Sequence, residues 1–354
     1  MTQYPHTMID KTTLIIVGAG ASAEFGLPTG RGLKDRIAQL LDIYFNRGEQ
    51  VRGDECICQA LRITVANTNQ RDINPYVYAA WRIRDAMPQA ISIDNFVDAH
   101  QGNTELELCG KLAIVRAILD AERNSPLYFD PTGGKRAPNY NDLQHTWINS
   151  FVQLLTENCR IDGVEPRLKS ISMVIFNYDR SIEHYLFHAL QTYYGIAPQQ
   201  AAKLVRSIRI FHPYGTVGQL LWQGGEAAID FGGQPDPHQL LALAGQIKTF
   251  TEGTDPSSSD IVELRECLAT AGMVLFLGFA YHRLNLDLLR PDRPHPNPNA
   301  VRYFGTAREI SKSDCGLIAR DLTALASAHH GNVTLRSDLT CTQLFHEYWR
   351  TLAL

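Results

Sequence analysis

Four short polar clusters each follow an apolar run, and together they suit a phosphate- and sugar-bearing ligand. The first is Gly18-Ala19-Gly20-Ala21-Ser22, after Thr12–Val17. Continued to Ala23 it spells G-x-G-x-x-A. Small residues at such a turn let bare backbone approach a pyrophosphate, and the next helix offers unpaired N–H groups to the anion. The same spelling also serves as a tight strand-to-helix turn that binds nothing. The second cluster, Asn177-Tyr178-Asp179, follows ISMVIF, where Asn and Asp also commonly cap the next helix. The third, His212-Pro213-Tyr214-Gly215, closes the run Ser207–Phe211. An imidazole titrates near neutrality and can take a proton from a hydroxyl or from water, although a lone His beside an apolar strand is commonly structural. The fourth, Gly278-Phe279, follows MVLFL.

The elements that must position these clusters alternate. Apolar runs at 12–17, 171–176, 207–211, 273–277, 301–306 and 332–337 read as strands. Helical spacing marks 33–48, 142–159, the stretch from Ser181, 238–250, 314–328 and 341–352, with a turn and helix cap at 255–260. Residues 126–141 read as a mobile loop. Residues 50–140 are mostly helical: Ser92 looks like a cap, and Asp94 either belongs to a cover over a ligand or itself caps a helix. The expected fold is α/β, a Rossmann-like doubly wound parallel sheet with a mostly helical insertion. Residues 10–48 and 142–354 form the main domain, and 50–140 a helical cap inserted within it. In such sheets the ligand lies beyond the carboxyl ends of the strands, where all four clusters fall.

An ordinary dinucleotide fold runs a long helix out of the glycine turn and places an acidic residue about 20 positions on. Here Gly26 and Pro28 break the helix after little more than one turn, and Asp42 falls in IAQLLDIYF, which reads as an amphipathic helix. The phosphate half of that fingerprint is present and the ribose half absent. The chain has 354 residues and a formal net charge of −4, which gives no strongly basic surface for nucleic acid. Seven scattered cysteines, no leader pattern and no apolar run near membrane-spanning length point to a cytoplasmic chain with reduced thiols. No four-ligand zinc spacing occurs, so no metal is expected.

This arrangement resembles the sirtuin family, whose signature is G-A-G-x-S, three residues, then G-I-P-D-F-R. Gly18-Ala19-Gly20-Ala21-Ser22 matches the first part; Gly26-Leu27-Pro28 and Arg31 match the second in register, with Thr29 and Gly30 where the family has Asp and Phe. The variant looks more like the sirtuin-like NAD-consuming domains of bacterial antiphage defence systems than like the protein deacylases. The resemblance implies that NAD is a substrate held by Gly18, Ala19, Gly20, Ser22, Pro28, Arg31, Asp179, Gly278 and Phe279. It assigns Asn177 to the nicotinamide ribose, Asp179 to the nicotinamide amide and His212 to catalysis. Ala280 stands where the family has Ser, and Gly305 and Thr306 would lie near the adenosine.

The implied reaction cleaves the nicotinamide–ribose bond, giving nicotinamide and ADP-ribose. Such cleavage needs a site that stabilises an oxocarbenium-like ribose and excludes stray nucleophiles. Sirtuin deacylases carry a zinc module with two CxxC pairs after the catalytic His, whereas residues 213–272 hold only Cys267. Water is therefore the expected acceptor; the alternatives are a protein deacylase, an ADP-ribosyltransferase, or a non-catalytic module that binds NAD or ADP-ribose. Relatives of this type work in assemblies, which implies a homo-oligomer, a HerA-type hexameric DNA-translocase ATPase partner, or both. The chain itself has no G-x-x-x-x-G-K-[ST] motif, and no direct nucleic-acid or membrane partner is expected.

Overall fold

Strands buried on both faces need largely apolar runs, and three such runs of this chain are buried at every residue. The computed structural model describes residues 12–68, 72–248, 252, 258–298, 300–325 and 332–353. The N-terminal stretch 1–11, where no leader is expected, lies outside the described residues, as do 255–257 of the expected turn and the expected helix ends at 249–250 and 326–328. The strands are β1 (Thr13–Val17), β2 (Tyr44–Asn46), β3 (Glu49–Arg52), β4 (Ile171–Ile175), β5 (Arg209–Phe211), β6 (Met273–Leu277), β7 (Arg302–Thr306) and β8 (Val333–Arg336). Six of them form one parallel sheet in the order β5-β4-β1-β6-β7-β8. Counted along the chain within that sheet, the order is 3-2-1-4-5-6, the Rossmann-like doubly wound arrangement. The order reverses between β1 and β6.

The period of two along β1 divides the core. Leu14 and Ile16 enter one apolar cluster, Ile15 and Val17 the other, one on each face. The first cluster also contains Ile57, Leu61, Ile83 and Leu112, from the inserted helices Glu55–Asn67, Asn74–Ala86 and Thr104–Asn124. The insertion thus buries its apolar side on the sheet itself.

The helix expected over 33–48 runs from Gly30 to Leu40 and then stops. Tyr44–Arg52 forms an antiparallel hairpin, β2 with β3. Aromatic Tyr44 and Phe45 favour extended backbone, and the turn is closed by Arg47 (φ 51°) and Gly48 (φ 91°) in the left-handed region. Asp42 pairs with Arg84 at 2.7 Å and has no place near the strand ends.

Insertion and sheet are tied by a buried ion pair. Arg180, directly after the Asn177-Tyr178-Asp179 cluster, is 1% exposed and meets the fully buried Glu122 of helix Thr104–Asn124 through Nε–Oε1 at 3.1 Å and Nη2–Oε2 at 2.5 Å. Its guanidinium also donates to the carbonyls of Ile229 (2.8 Å) and Asp230 (3.0 Å), while Glu122 accepts the Gly232 N–H at 2.9 Å. Three distant segments therefore converge on one charge pair. Removing one partner of such a pair leaves the other charge uncompensated. Glu122→Ala is expected to lower unfolding stability by about 3–5 kcal/mol, read from the midpoint of urea denaturation.

Candidate functional site

Register decides which strand endings share one edge. Val17 pairs with Ile175 on one side and with Leu277 on the other, so Gly18, Phe176 and Gly278 start at the same level. There the two glycine turns touch backbone to backbone. Gly18 donates its N–H to Leu277 O at 2.9 Å and Gly20 to Gly278 O at 3.0 Å. A β-carbon at Gly18 would stand 2.6 Å from the Gly278 oxygen, and one at Gly278 (φ +54°) 1.9 Å from Ala21 N. The glycines are thus required by the fold whatever binds. The amide cradle of the G-x-G-x-x-A template is partly engaged within the protein. As expected from Gly26, the helix after the turn is short: Ala19–Ser22, then a 3₁₀ turn Ala23–Phe25 closed by Gly26 at φ +80°.

Two cavities open on either side of this contact. The larger, about 560 Å³, is lined by Gly20, Glu24, Thr29, Gly278, Thr306 and Arg308, among others. The smaller, about 350 Å³, is lined by Gly18, Ala19, Asp94, Asn177, Tyr214 and Arg283, among others. Phe279 and Ala280 line both. Apart from His212, the site residues expected from sequence fall into three groups. Gly18, Ala19, Gly20, Gly278, Phe279 and Asn177 line one or both cavities. Ser22 and Asp179 lie buried behind them. Pro28 and Arg31 line neither cavity, and Arg31 is exposed.

Behind the smaller cavity a hydrogen-bond chain fixes Asn177. Its Nδ2 donates to Ser22 Oγ at 2.8 Å, and Ser22 Oγ donates to Asp179 Oδ2 at 2.9 Å. Asp179 Oδ1 accepts the Ser181 N–H at 3.1 Å, where helix Ser181–Tyr194 begins. An ionised carboxylate only accepts, so the single Ser22 hydrogen must go to Asp179, and Asn177 must turn its NH₂ toward Ser22. The amide is thereby held in one orientation at the cavity wall.

His212 is placed differently from the expectation. Phe211 pairs with Val174, so His212 is level with the last residue of β4, two positions short of Asn177. Its Nε2 lies 2.7 Å from Glu183 Oε1 and its Nδ1 3.4 Å from the Asn177 carbonyl. It lines a separate cavity of about 110 Å³ with Lys248 and Asp260. Burial lowers its pKa, but Glu183 and the Asn177 carbonyl outweigh burial and hold it above the ordinary value. The His184–His188 pair packs instead of ligating: His184 stacks on Phe231 at 4.1 Å, and burial lowers the pKa of both rings, that of His188 to about 4.

Glu24, which no sequence motif marks, accepts from the Trp147 N–H (2.9 Å), the Thr342 N–H (3.0 Å) and the Thr342 hydroxyl, pinning helix Cys341–Glu347 to the nucleotide-like turn. Ser92 is the cap, accepting the Asn95 N–H at 3.1 Å, while Asp94 faces the cavity and accepts from the Tyr178 hydroxyl. No protein-family model and no curated protein matches this chain. The functional reading rests on sequence motif and geometry.

Because the His212 pKa is raised in the fold, its contribution to stability is complete below its ordinary value near 6.5 and fades as pH rises through the raised value. The His212 contribution to urea resistance should therefore fade as pH rises from about 6.5 through the raised value. Glu183→Gln should flatten that dependence, and an unchanged slope in the variant would contradict the pairing.

Proposed function

We propose that this chain binds a nicotinamide dinucleotide across the β1–β6 crevice and hydrolyses it to nicotinamide and ADP-ribose. One observation carries the reading: two cavities meet at the side-chain-free contact of Gly18 and Gly20 with Gly278, at the point where the strand order reverses. That shape suits a ligand with two bulky ends joined by a slender pyrophosphate, and this place in a doubly wound sheet is where such ligands bind. The resemblance of Gly18–Ser22, Gly26–Pro28 and Arg31 to the sirtuin signature supports NAD as the dinucleotide.

In this reading Asn177 orients the ribose, and Ser22 and Asp179 orient Asn177. An amide already turned toward the sugar acts through positioning and through charge stabilisation at the anomeric centre. His212 acts from behind by holding the Asn177 carbonyl. By the same resemblance, the reaction depletes NAD in antiphage defence, within an assembly that is a homo-oligomer or includes a HerA-type ATPase.

One observation favours a second reading, a module that binds NAD or ADP-ribose without cleaving it: both ring nitrogens of His212 are engaged away from the smaller cavity. Incubating the full chain with NAD and following nicotinamide by chromatography separates the two. Hydrolysis predicts release by the wild type and a fall in kcat/KM of about 100-fold or more in Asn177→Ala. Retention of intact NAD by the wild type, with no nicotinamide formed either alone or with an assembled ATPase partner supplied, would support the binding module instead.

A further inference from the structure

We propose that Asp94, contributed by the helical insertion, is the general base that deprotonates the attacking water. The inference rests on the hydrolase reading above and adds to it the group that handles the proton. Asp94 lies on the helix Ile93–Asp98, which Ser92 caps, so its carboxylate is not needed for capping and is turned to the cavity wall that also carries Asn177. Its Oδ1 accepts from Tyr178, the residue between Asn177 and Asp179. The base and the ribose-orienting amide are thus linked through adjacent residues at the end of β4. The other candidate base, His212, has both nitrogens occupied and lines a different cavity.

The surroundings suit the task. Burial raises the Asp94 carboxyl above its ordinary value, and the Tyr178 hydroxyl opposes that rise. A carboxylate made more basic in this way is a better proton acceptor near neutrality. The other titratable groups lining that cavity are Tyr214, from the segment after β5, Asp98, one turn along its own helix, and the exposed His282 and Arg283. Tyr214 is itself held at 2.5 Å to Asn285 and stays protonated because burial, Asp94 and Asp98 all raise it.

The step balances without a further reactant. Water oxygen forms a bond to the anomeric carbon as the carbon–nitrogen bond breaks. The electron pair of that bond neutralises the pyridinium and leaves on nicotinamide. The water proton passes to Asp94 and from there to solvent.

The test is the pH profile of nicotinamide release from NAD by the full chain, for wild type, Asp94→Asn and Tyr178→Phe. Asp94→Asn is expected to lower kcat by about 100-fold or more, with KM within about threefold, and to abolish the acid limb. In Tyr178→Phe the carboxylate loses a donor, so the acid limb should move to higher pH while activity above it persists. A structural role for either residue would leave the limb where it is. Release by wild type with an unchanged limb in both variants would overturn the inference alone. Absence of release by wild type, alone and with an assembled ATPase partner supplied, would overturn the hydrolase reading and the inference with it.

Discussion

The site depends on one contact made without side chains. Gly18 and Gly20 at the end of β1 lie against Gly278 at the end of β6, and their N–H groups bond to the carbonyls of Leu277 and Gly278. A β-carbon at any of these positions would enter the neighbouring backbone. The contact closes the crevice at the centre of the sheet edge and leaves a hollow on each side. Polar side chains therefore stand around the rim, after β4, on the insertion and after β7.

Polar groups at the rim are held in chains, and each chain has a fixed direction. Asp179 determines the Ser22 proton, Ser22 determines the orientation of Asn177, and the Asn177 carbonyl meets His212. Glu183 in turn faces His212 from the first turn of helix Ser181–Tyr194, where the helix dipole favours a carboxylate. Preorganisation of this kind limits the reorganisation needed when charge develops on a ligand.

The fold was legible because β1, β4 and β6 are buried on both faces, so every residue in them is apolar or small, and turn residues follow at once. Asn177, Gly18 and Gly278 were legible for the same reason: they come directly after such runs. His212 lines a different cavity for a reason that motif spacing does not carry, the register of β5, which ends one residue lower than β4. The hairpin Tyr44–Arg52 was hidden by apolar spacing that suits a helix equally well, and Arg47 at positive φ gives no compositional warning. Glu24 and Glu183 sit inside helices or turns, where a carboxylate reads as solvated surface, and only tertiary packing shows what each one faces, as it does for Asp94.

The Glu122–Arg180 pair bears on the ancestry of the chain. The helical excursion supplies the countercharge for an arginine of the parent sheet, and that arginine in turn gathers the carbonyls of the loop after β5. Loss of either segment leaves the other's charge unpaired in the interior, so the two are coupled in any change of sequence. A shorter cousin lacking the excursion would be expected to carry a neutral residue at the position of Arg180 and to route that loop by other means.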